Sequence, residues 1–193
     1  MKEKFSNHFA KYSALTESEI KAIHDSMIIK HFSKDDFLIR EGQVMIDTYF
    51  VLQGCVRLYK LVDGNEITTH FFTEEQWIIS TGDISGNEPS ADYLICCEDT
   101  VVSVGNEESA RKIFENFPRF ESIARSILQD VLFEQQKMLS SFLTQTPELR
   151  YINLQKSRPD ILQRVSQYHI ASYIGVKPES LSRIRKRLAE NRD

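Results

Sequence analysis

The sequence feature that most constrains the fold is the stretch QYHIASYIGVKPESLSRIRK, which spans residues 167–186. A single break, formed by residues 175–178, separates two short helical patterns. Gly175 can take the positive φ that a tight helix exit needs, and Pro178 suits the first turn of the next helix. Small or apolar residues occupy every restricted position of a helix-turn-helix. These residues are Ile170, Ala171, Ile174, Gly175, Val176, Leu181 and Ile184.

The outward face of the second of these helices is basic. Residues 177–193 contain six Lys or Arg and three Asp or Glu, whereas the rest of the chain contains 18 and 25. Attraction to phosphates needs a local basic surface and no overall positive charge. A packing hairpin could share parts of the pattern, and basic residues also suit the end of any helix, where the dipole favours them. Because the spacing and the charge occur together, the sequence predicts binding to double-stranded DNA.

The chain can bury one good core and a smaller second one, because it has 193 residues of which 41% are hydrophobic. No run of about 18 apolar residues could span a membrane, and residues 1–13 lack the apolar core of a signal peptide. The three cysteines, Cys55, Cys96 and Cys97, form no CxxC pair. They are therefore expected to be reduced thiols of a cytoplasmic protein, with a redox or iron–sulfur role as the alternative.

Short apolar runs separated by turn residues fill residues 28–105. Eight runs predict strands: Ile28–Phe32, Phe37–Arg40, Thr48–Gln53, Val56–Val62, Glu66–Phe72, Gln76–Ser80, Tyr93–Cys97 and Val101–Val104. Asp63-Gly64-Asn65 predicts a hairpin turn between two of them. Eight strands at near-regular spacing are typical of a closed or double-sheet β-barrel.

Helical patterns flank these strands. Residues 5–27 are expected to be helical, with Thr16 and Glu19 forming a capping box. Residues 106–114 predict a short helix, and residues 146–157 predict another that begins with a cap and a proline.

Between them, residues 118–143 predict one long helix of about 39 Å. Its apolar residues cover more than one narrow stripe, so the helix needs two partners. One partner is the barrel. We expect the other to be the same helix of a second subunit, in a homodimer that packs as a coiled coil. The alternative is that the C-terminal helices of the same chain cover the second face.

The layout resembles that of the Crp/Fnr family of bacterial transcription regulators along nearly the whole chain. Residues 37–43 (FLIREGQ), 49–54 (YFVLQG) and 56–59 (VRLY) are similar to the early strands of that family's cyclic-nucleotide-binding-type barrel. Residues 175–183 (GVKPESLSR) resemble its recognition-helix pattern more sharply. The resemblance implies an α+β fold with an N-terminal double-stranded β-helix (jelly-roll) barrel, a long central dimerisation helix and a C-terminal all-α helix-turn-helix domain. The implied boundaries are 1–117 for the N-terminal helix and effector barrel, 118–145 for the dimerisation helix and 146–193 for the DNA-binding domain.

The resemblance also implies which residues meet DNA. The recognition helix is expected to span residues 178–190, with Glu179, Ser182 and Arg183 contacting bases in the major groove. A carboxylate can accept from cytosine N4, and a guanidinium can bind guanine O6 and N7 together. The chain ends five residues after Leu188, so no C-terminal wing hairpin is expected. Phosphate contacts are then expected from Ser180, Arg185, Lys186 and Arg187.

The effector site departs from the family pattern. Members that bind cyclic nucleotides place Phe-Gly-Glu and then Arg-Ser/Thr-Ala at the phosphate, whereas this chain has Ile78-Ile79-Ser80 and Pro89-Ser90-Ala91. Pro89 has neither a charge nor an N–H, so it cannot hold a phosphate as arginine would. We therefore expect no tight cAMP binding, no cofactor, and either an unknown small effector or none. Candidate lining residues are Ile79, Glu88, Pro89 and Ser90.

Two other classes of function fit parts of the sequence. Barrels of this kind also host metal-dependent enzymes, which need clustered histidines and a carboxylate. The five histidines form no His-x-His pair, and only His31 and His70 fall in predicted strands, so we expect neither a metal site nor catalysis. The second alternative is a ligand-sensing or protein-interaction module whose DNA binding is weak or lost.

Overall fold

Eight antiparallel strands form a jelly roll in the computed structural model, which describes residues 1–45, 47–79 and 89–190. The strands are β1 (Ile28–Phe32), β2 (Phe37–Ile39), β3 (Thr48–Gln53), β4 (Val56–Val62), β5 (Asn65–Phe72), β6 (Trp77–Ile78), β7 (Tyr93–Cys96) and β8 (Thr100–Gly105). They pair in two four-stranded sheets, in the orders β1-β8-β3-β6 and β2-β7-β4-β5. This arrangement confirms the predicted double-stranded β-helix barrel within an α+β fold.

The interior of the barrel is filled by side chains from alternate positions of the strands. Val51, Val56, Leu94 and Val102 are at most 1% exposed and fill the space between the two sheets. The predicted hairpin joins β4 to β5 through residues 63–64, which both have positive φ, at 50° and 77°. Positive φ at both central residues is the requirement of a type I′ turn, whose twist matches that of the flanking strands.

Eight helices surround the barrel in the part of the chain that the structure describes. They are α1 (Lys2–Ala10), α2 (Glu17–Ser26), α3 (Glu107–Asn116), α4 (Arg119–Thr144), α5 (Pro147–Ser157), α6 (Pro159–Arg164), α7 (Gln167–Tyr173) and α8 (Pro178–Glu190). None of these helices is long and apolar enough to cross a membrane.

The helices differ from the sequence expectations in two respects. Residues 5–27, which were expected to be helical, are interrupted between the end of α1 at Ala10 and the start of α2 at Glu17. The predicted capping box of Thr16 and Glu19 is confirmed at the start of α2. Helix α6, which follows the helix expected over residues 146–157, was also not predicted from the sequence. Pro159 begins it, because proline suits the first turn of a helix.

The long helix α4 packs on the barrel by one face and leaves another uncovered. Phe120, Ile123 and Ile127 are at most 5% exposed and join a core cluster with strand residues of the first sheet. Leu132 and Leu139, by contrast, are 55% and 61% exposed. The C-terminal helices contact α4 near Met138 and Phe142 but do not cover these leucines. The alternative that the C-terminal helices of the same chain cover this face of α4 is therefore not supported.

The C-terminal helices instead pack on the outer face of the second sheet. The Ser172 hydroxyl on α7 accepts from the Thr68 amide and donates to the Glu66 carbonyl, both at 2.9 Å. Arg164, at the end of α6, donates to the Glu74 carboxylate at 2.9 Å and 3.0 Å and to Glu98 at 3.1 Å. These contacts fix the helix-turn-helix against the barrel in this conformation.

The Arg164–Glu74 pair predicts an acid-sensitive contribution to stability. Burial raises the pKa of Glu74, but the Arg164 guanidinium and the Gly54 amide outweigh burial and hold the pKa at about 2. Because the folded pKa lies below the unfolded value of 4.5, this contribution is present above about pH 4.5 and is lost as the pH falls toward 2. We expect Glu74→Gln to lower the free energy of unfolding at pH 7 by about 1–2 kcal/mol, after allowance for solvent screening.

Urea unfolding at pH 7 and pH 3 measures this effect. The stability difference between wild type and Glu74→Gln should shrink at pH 3, whereas Glu121→Gln, at an exposed site on α4, should change little at either pH. A difference that stays constant across this range would contradict the assignment.

Candidate nucleic-acid interface and effector pocket

The two-helix stretch 167–190 folds as its spacing predicts. The Ser166 hydroxyl caps α7 by accepting from the His169 amide at 3.3 Å. Gly175 has φ of +73°, and a Cβ at this position would approach the Phe142 ring to 3.2 Å. Leu181 and Ile184 of α8 are 1% and 8% exposed and pack against α7 within a shared core. The two helices therefore form a helix-turn-helix with α8 on its outer side.

The three residues expected to read bases are all exposed on α8. Glu179, Ser182 and Arg183 lie on the side of the helix away from its buried residues. The Arg183 guanidinium lies along its own helix, where it donates to the Glu179 carbonyl and the Ser180 hydroxyl at 3.4 Å each. Bonds of this length are weak, so the side chain can leave both of them and extend into a groove at little cost.

The residues expected to contact phosphates differ in their surroundings. Arg185 and Lys186 are exposed, and Lys186 lies 3.8 Å from the Glu190 carboxylate. Arg187 instead forms a two-pronged ion pair with Glu148 of α5, one arm of which is 3.3 Å long. Ser180 is half-buried. Arg187 is thus engaged in holding α8 to α5 and would have to leave that pair to bind DNA.

Arg150, a residue that the sequence did not single out, positions the helix-turn-helix. Its guanidinium donates twice to the Ile174 carbonyl, at 3.0 Å and 2.8 Å, and once to the Gln145 carbonyl at 2.6 Å. It also lies 4.7 Å from the centre of the Phe142 ring. These bonds satisfy carbonyls at two helix ends that would otherwise lack partners. No local sequence signal could reveal them, because the partners are up to 24 residues apart.

The expected effector site is a cavity of about 240 Å³ that is lined by barrel residues and by Gln135 of α4. Ile79, Pro89 and Ser90 line it, as expected, while Glu88 lies outside the described residues. Most of the remaining lining is apolar. Its charged groups are Lys60 and Asp92, which form an ion pair of 3.5 Å.

Among the described lining residues, positions 89 and 90 offer no free hydrogen-bond donor to a cyclic phosphate. The Ser90 amide already donates to the Gln43 carbonyl at 2.8 Å, and the Ser90 hydroxyl is bonded to the backbone of Asp92. Pro89 has no amide hydrogen to offer. The Asp92 carboxylate pairs with Lys60 and offsets the positive charge that could otherwise attract a phosphate.

We therefore expect cAMP to bind no more tightly than about 1 mM, a binding free energy of about −4 kcal/mol or weaker. Titration calorimetry with cAMP, and with 5′-AMP as the matched control nucleotide, measures this. Affinity in the micromolar range for cAMP alone would contradict the assignment of this cavity.

Comparison with known proteins supports the fold described above. Residues 29–117 match the family model of the cyclic nucleotide-binding domain. No curated protein sequence matches the chain significantly. Among solved structures, the chain is similar to the c-di-GMP-responsive global regulator CLP of Xanthomonas campestris, with a TM-score of 0.70 and 17% identity over 91% of this chain and 93% of that one.

Two further solved structures share the whole arrangement. FixK2 of Bradyrhizobium japonicum has a TM-score of 0.68 and 19% identity over 86% of this chain and 85% of that one. A Crp/Fnr-family regulator of Eubacterium rectale has a TM-score of 0.69 and 16% identity over 96% and 88%. Residues 29–117 thus match the cyclic nucleotide-binding domain, and the chain has a fold similar to that of the Crp/Fnr regulators among these solved structures.

Proposed function

We propose that the protein is a dimeric, DNA-binding transcription regulator whose helix α8 enters the major groove. The observation that carries this proposal is the exposed outer face of α8, which combines Glu179, Ser182 and Arg183 with Arg185 and Lys186. A buried helix face held by α7 and an outer face of acceptors, hydroxyls and cations are the features that a recognition helix needs.

Each of these side chains has a partner on duplex DNA. Arg183 would donate to O6 and N7 of a guanine, and Glu179 would accept from a cytosine N4. Ser180, Arg185 and Lys186 would meet phosphates on either side, together with Arg187 once it leaves Glu148. The base contacts give the sequence preference, and the phosphate contacts fix the position of the helix.

The uncovered face of α4 supports a homodimer through residues 118–143. Its exposed residues include Leu128, Leu132 and Leu139, at spacings of four and seven. With Phe142 three residues further on, they follow the spacing of a two-stranded coiled coil. A two-fold dimer would place the two copies of α8 about 34 Å apart, one helical turn of DNA.

In this proposal residues 1–117 form an effector barrel, residues 118–145 couple the subunits, and residues 146–193 bind DNA in the cytoplasm. We expect any effector of the barrel to be a small molecule other than cAMP, because residues 89–90 in the described part of the cavity offer no phosphate donors; the alternative is that the barrel has no effector. A ligand that prefers one dimer geometry would shift the spacing of the two α8 helices.

The salt dependence of binding to labelled duplexes tests the proposal. We expect the affinity to fall about a hundredfold or more between about 50 and 200 mM salt. Each phosphate contact releases counterions from the DNA, and this release is less favourable at higher salt. Lys186→Ala should make this dependence shallower, whereas Lys112→Ala on the distant helix α3 should not. Absence of binding at low salt would overturn the proposal.

That negative result would favour the second candidate, a ligand-sensing or interaction module without DNA binding. Two observations are in its favour: the Arg187–Glu148 pair occupies one phosphate-binding candidate, and α7 is docked on the barrel through Ser172.

A further inference from the structure

Two cysteines face each other where the barrel meets the C-terminal helices. Val56 of β4 pairs with Cys96 of β7, so Cys55 and Cys97 are the next residues along the same register. The Cys97 amide donates to the Cys55 carbonyl at 2.7 Å. Residues directly opposite in an antiparallel pair project to the same face, so the two thiols lie on the same side of the sheet.

This thiol pair lies on the outer face of the sheet, beneath the helices. Cys55 is fully buried in the cluster that contains Tyr151, Leu154 and Ile161, and Cys97 packs against that cluster. Cys96 points the other way, into the barrel core. Adjacent cysteines thus have opposite environments, as strand alternation requires.

Cys97 can be reached through a polar cavity of about 230 Å³. The charged or titratable side chains that line it, besides the cysteines, are Lys34, Asp35, Arg57, Arg164 and His169. The neighbouring Cys55 thiol, and after it Arg57, hold the pKa of Cys97 below its ordinary value despite burial and the carboxylates of Glu98 and Asp35. A thiolate in a basic, partly exposed setting is the reactive form of cysteine.

We propose that Cys97 and Cys55 form an oxidisable pair, in which a hydroperoxide converts Cys97 to a sulfenic acid and Cys55 then closes a disulfide. In the first step the Cys97 thiolate attacks hydrogen peroxide, the O–O bond breaks, and hydroxide leaves and is protonated to water. In the second step the Cys55 sulfur attacks the Cys97 sulfur, and the thiol proton leaves with the sulfenic hydroxyl as water. Overall two thiols and one peroxide give one disulfide and two waters.

The position of the pair gives the reaction a consequence. Arg164 lines the same cavity and bonds Glu98, the residue next to Cys97, as well as Glu74. A disulfide repositions Cys97 and the chain beside it, so oxidation loosens the contact between the C-terminal helices and the barrel. Any resulting change in DNA affinity rests on the proposed function, but the disulfide itself does not.

Peptide mapping of the native full-length protein after treatment with hydrogen peroxide tests the proposal. Wild type and Cys96→Ser, the matched control, should both give the Cys55–Cys97 disulfide. Cys97→Ser should give none, and Cys55→Ser should accumulate a sulfenic acid on Cys97 that dimedone traps. A disulfide between Cys96 and Cys97, or no oxidation at equimolar peroxide, would overturn the proposal.

Alkylation of the reduced wild-type protein with iodoacetamide gives a measurement that needs no variant to fold. Cys97 should react at least about tenfold faster than Cys96 at pH 7. Equal rates would contradict the proposal, and neither result depends on whether the protein binds DNA.

Discussion

Replacing Leu132 with glutamate is expected to convert the dimer to monomers and to weaken binding to a duplex with two half-sites by about a hundredfold or more. Leu132 lies in the middle of the uncovered face of α4 and is 55% exposed in the single chain. In a coiled coil the two copies would bring two unpaired carboxylates into an apolar seam, which costs several kcal/mol. A monomer has one recognition helix and so loses the gain in affinity, about 10² to 10⁴, that comes from binding two half-sites at once.

Sedimentation analysis and anisotropy titration measure the two effects together. The matched control is Gln129→Glu, which adds the same charge to the same helix at an exposed polar position. It should remain dimeric and retain its affinity. A Leu132→Glu protein that stays dimeric would show that α4 is not the dimer interface.

Replacing Arg183 with alanine is expected to abolish discrimination at one base pair of each half-site, at a cost of about 1–3 kcal/mol for the preferred sequence. Its folded contacts are two bonds of 3.4 Å within α8, so the thermal midpoint should change little.

The matched control is Arg185→Ala, which removes the same guanidinium two residues along. It should weaken binding to all sequences alike and reduce the salt slope by about 1. Competition between duplexes that differ at single positions separates the two variants. An Arg183→Ala protein that keeps the wild-type order of preference would assign the base contact to another residue.

The barrel strands were predictable because local chemistry determines them. Thr48–Gln53 and Val56–Val62 have the bounds that the sequence predicts, since turn residues and a glycine with φ of +106° separate them. The predicted strand 76–80 is shorter, at Trp77–Ile78, and Ser80 lies outside the described residues. The helix that begins at Pro159 was not predicted, because a proline can follow the end of one helix or occupy the first turn of the next.

The candidate site was predictable in its pattern but not in its contacts. The spacing of Ile174, Leu181 and Ile184 is local, so the outward side of α8 follows from it. The Arg187–Glu148 pair joins residues 39 positions apart and depends on how α5 packs. The opposition of Cys55 and Cys97 likewise depends on the register of β4 and β7, which no single stretch of sequence encodes.

Selection of bound duplexes from a random pool, by the purified full-length protein, tests the recognition role of α8 most directly. The expected result is an enriched, two-fold symmetric sequence whose half-site centres are about 10 base pairs apart, with one position of each half-site lost from the pool selected by Arg183→Ala. A pool that shows no enriched sequence, or a motif that Arg183→Ala leaves intact, would contradict it.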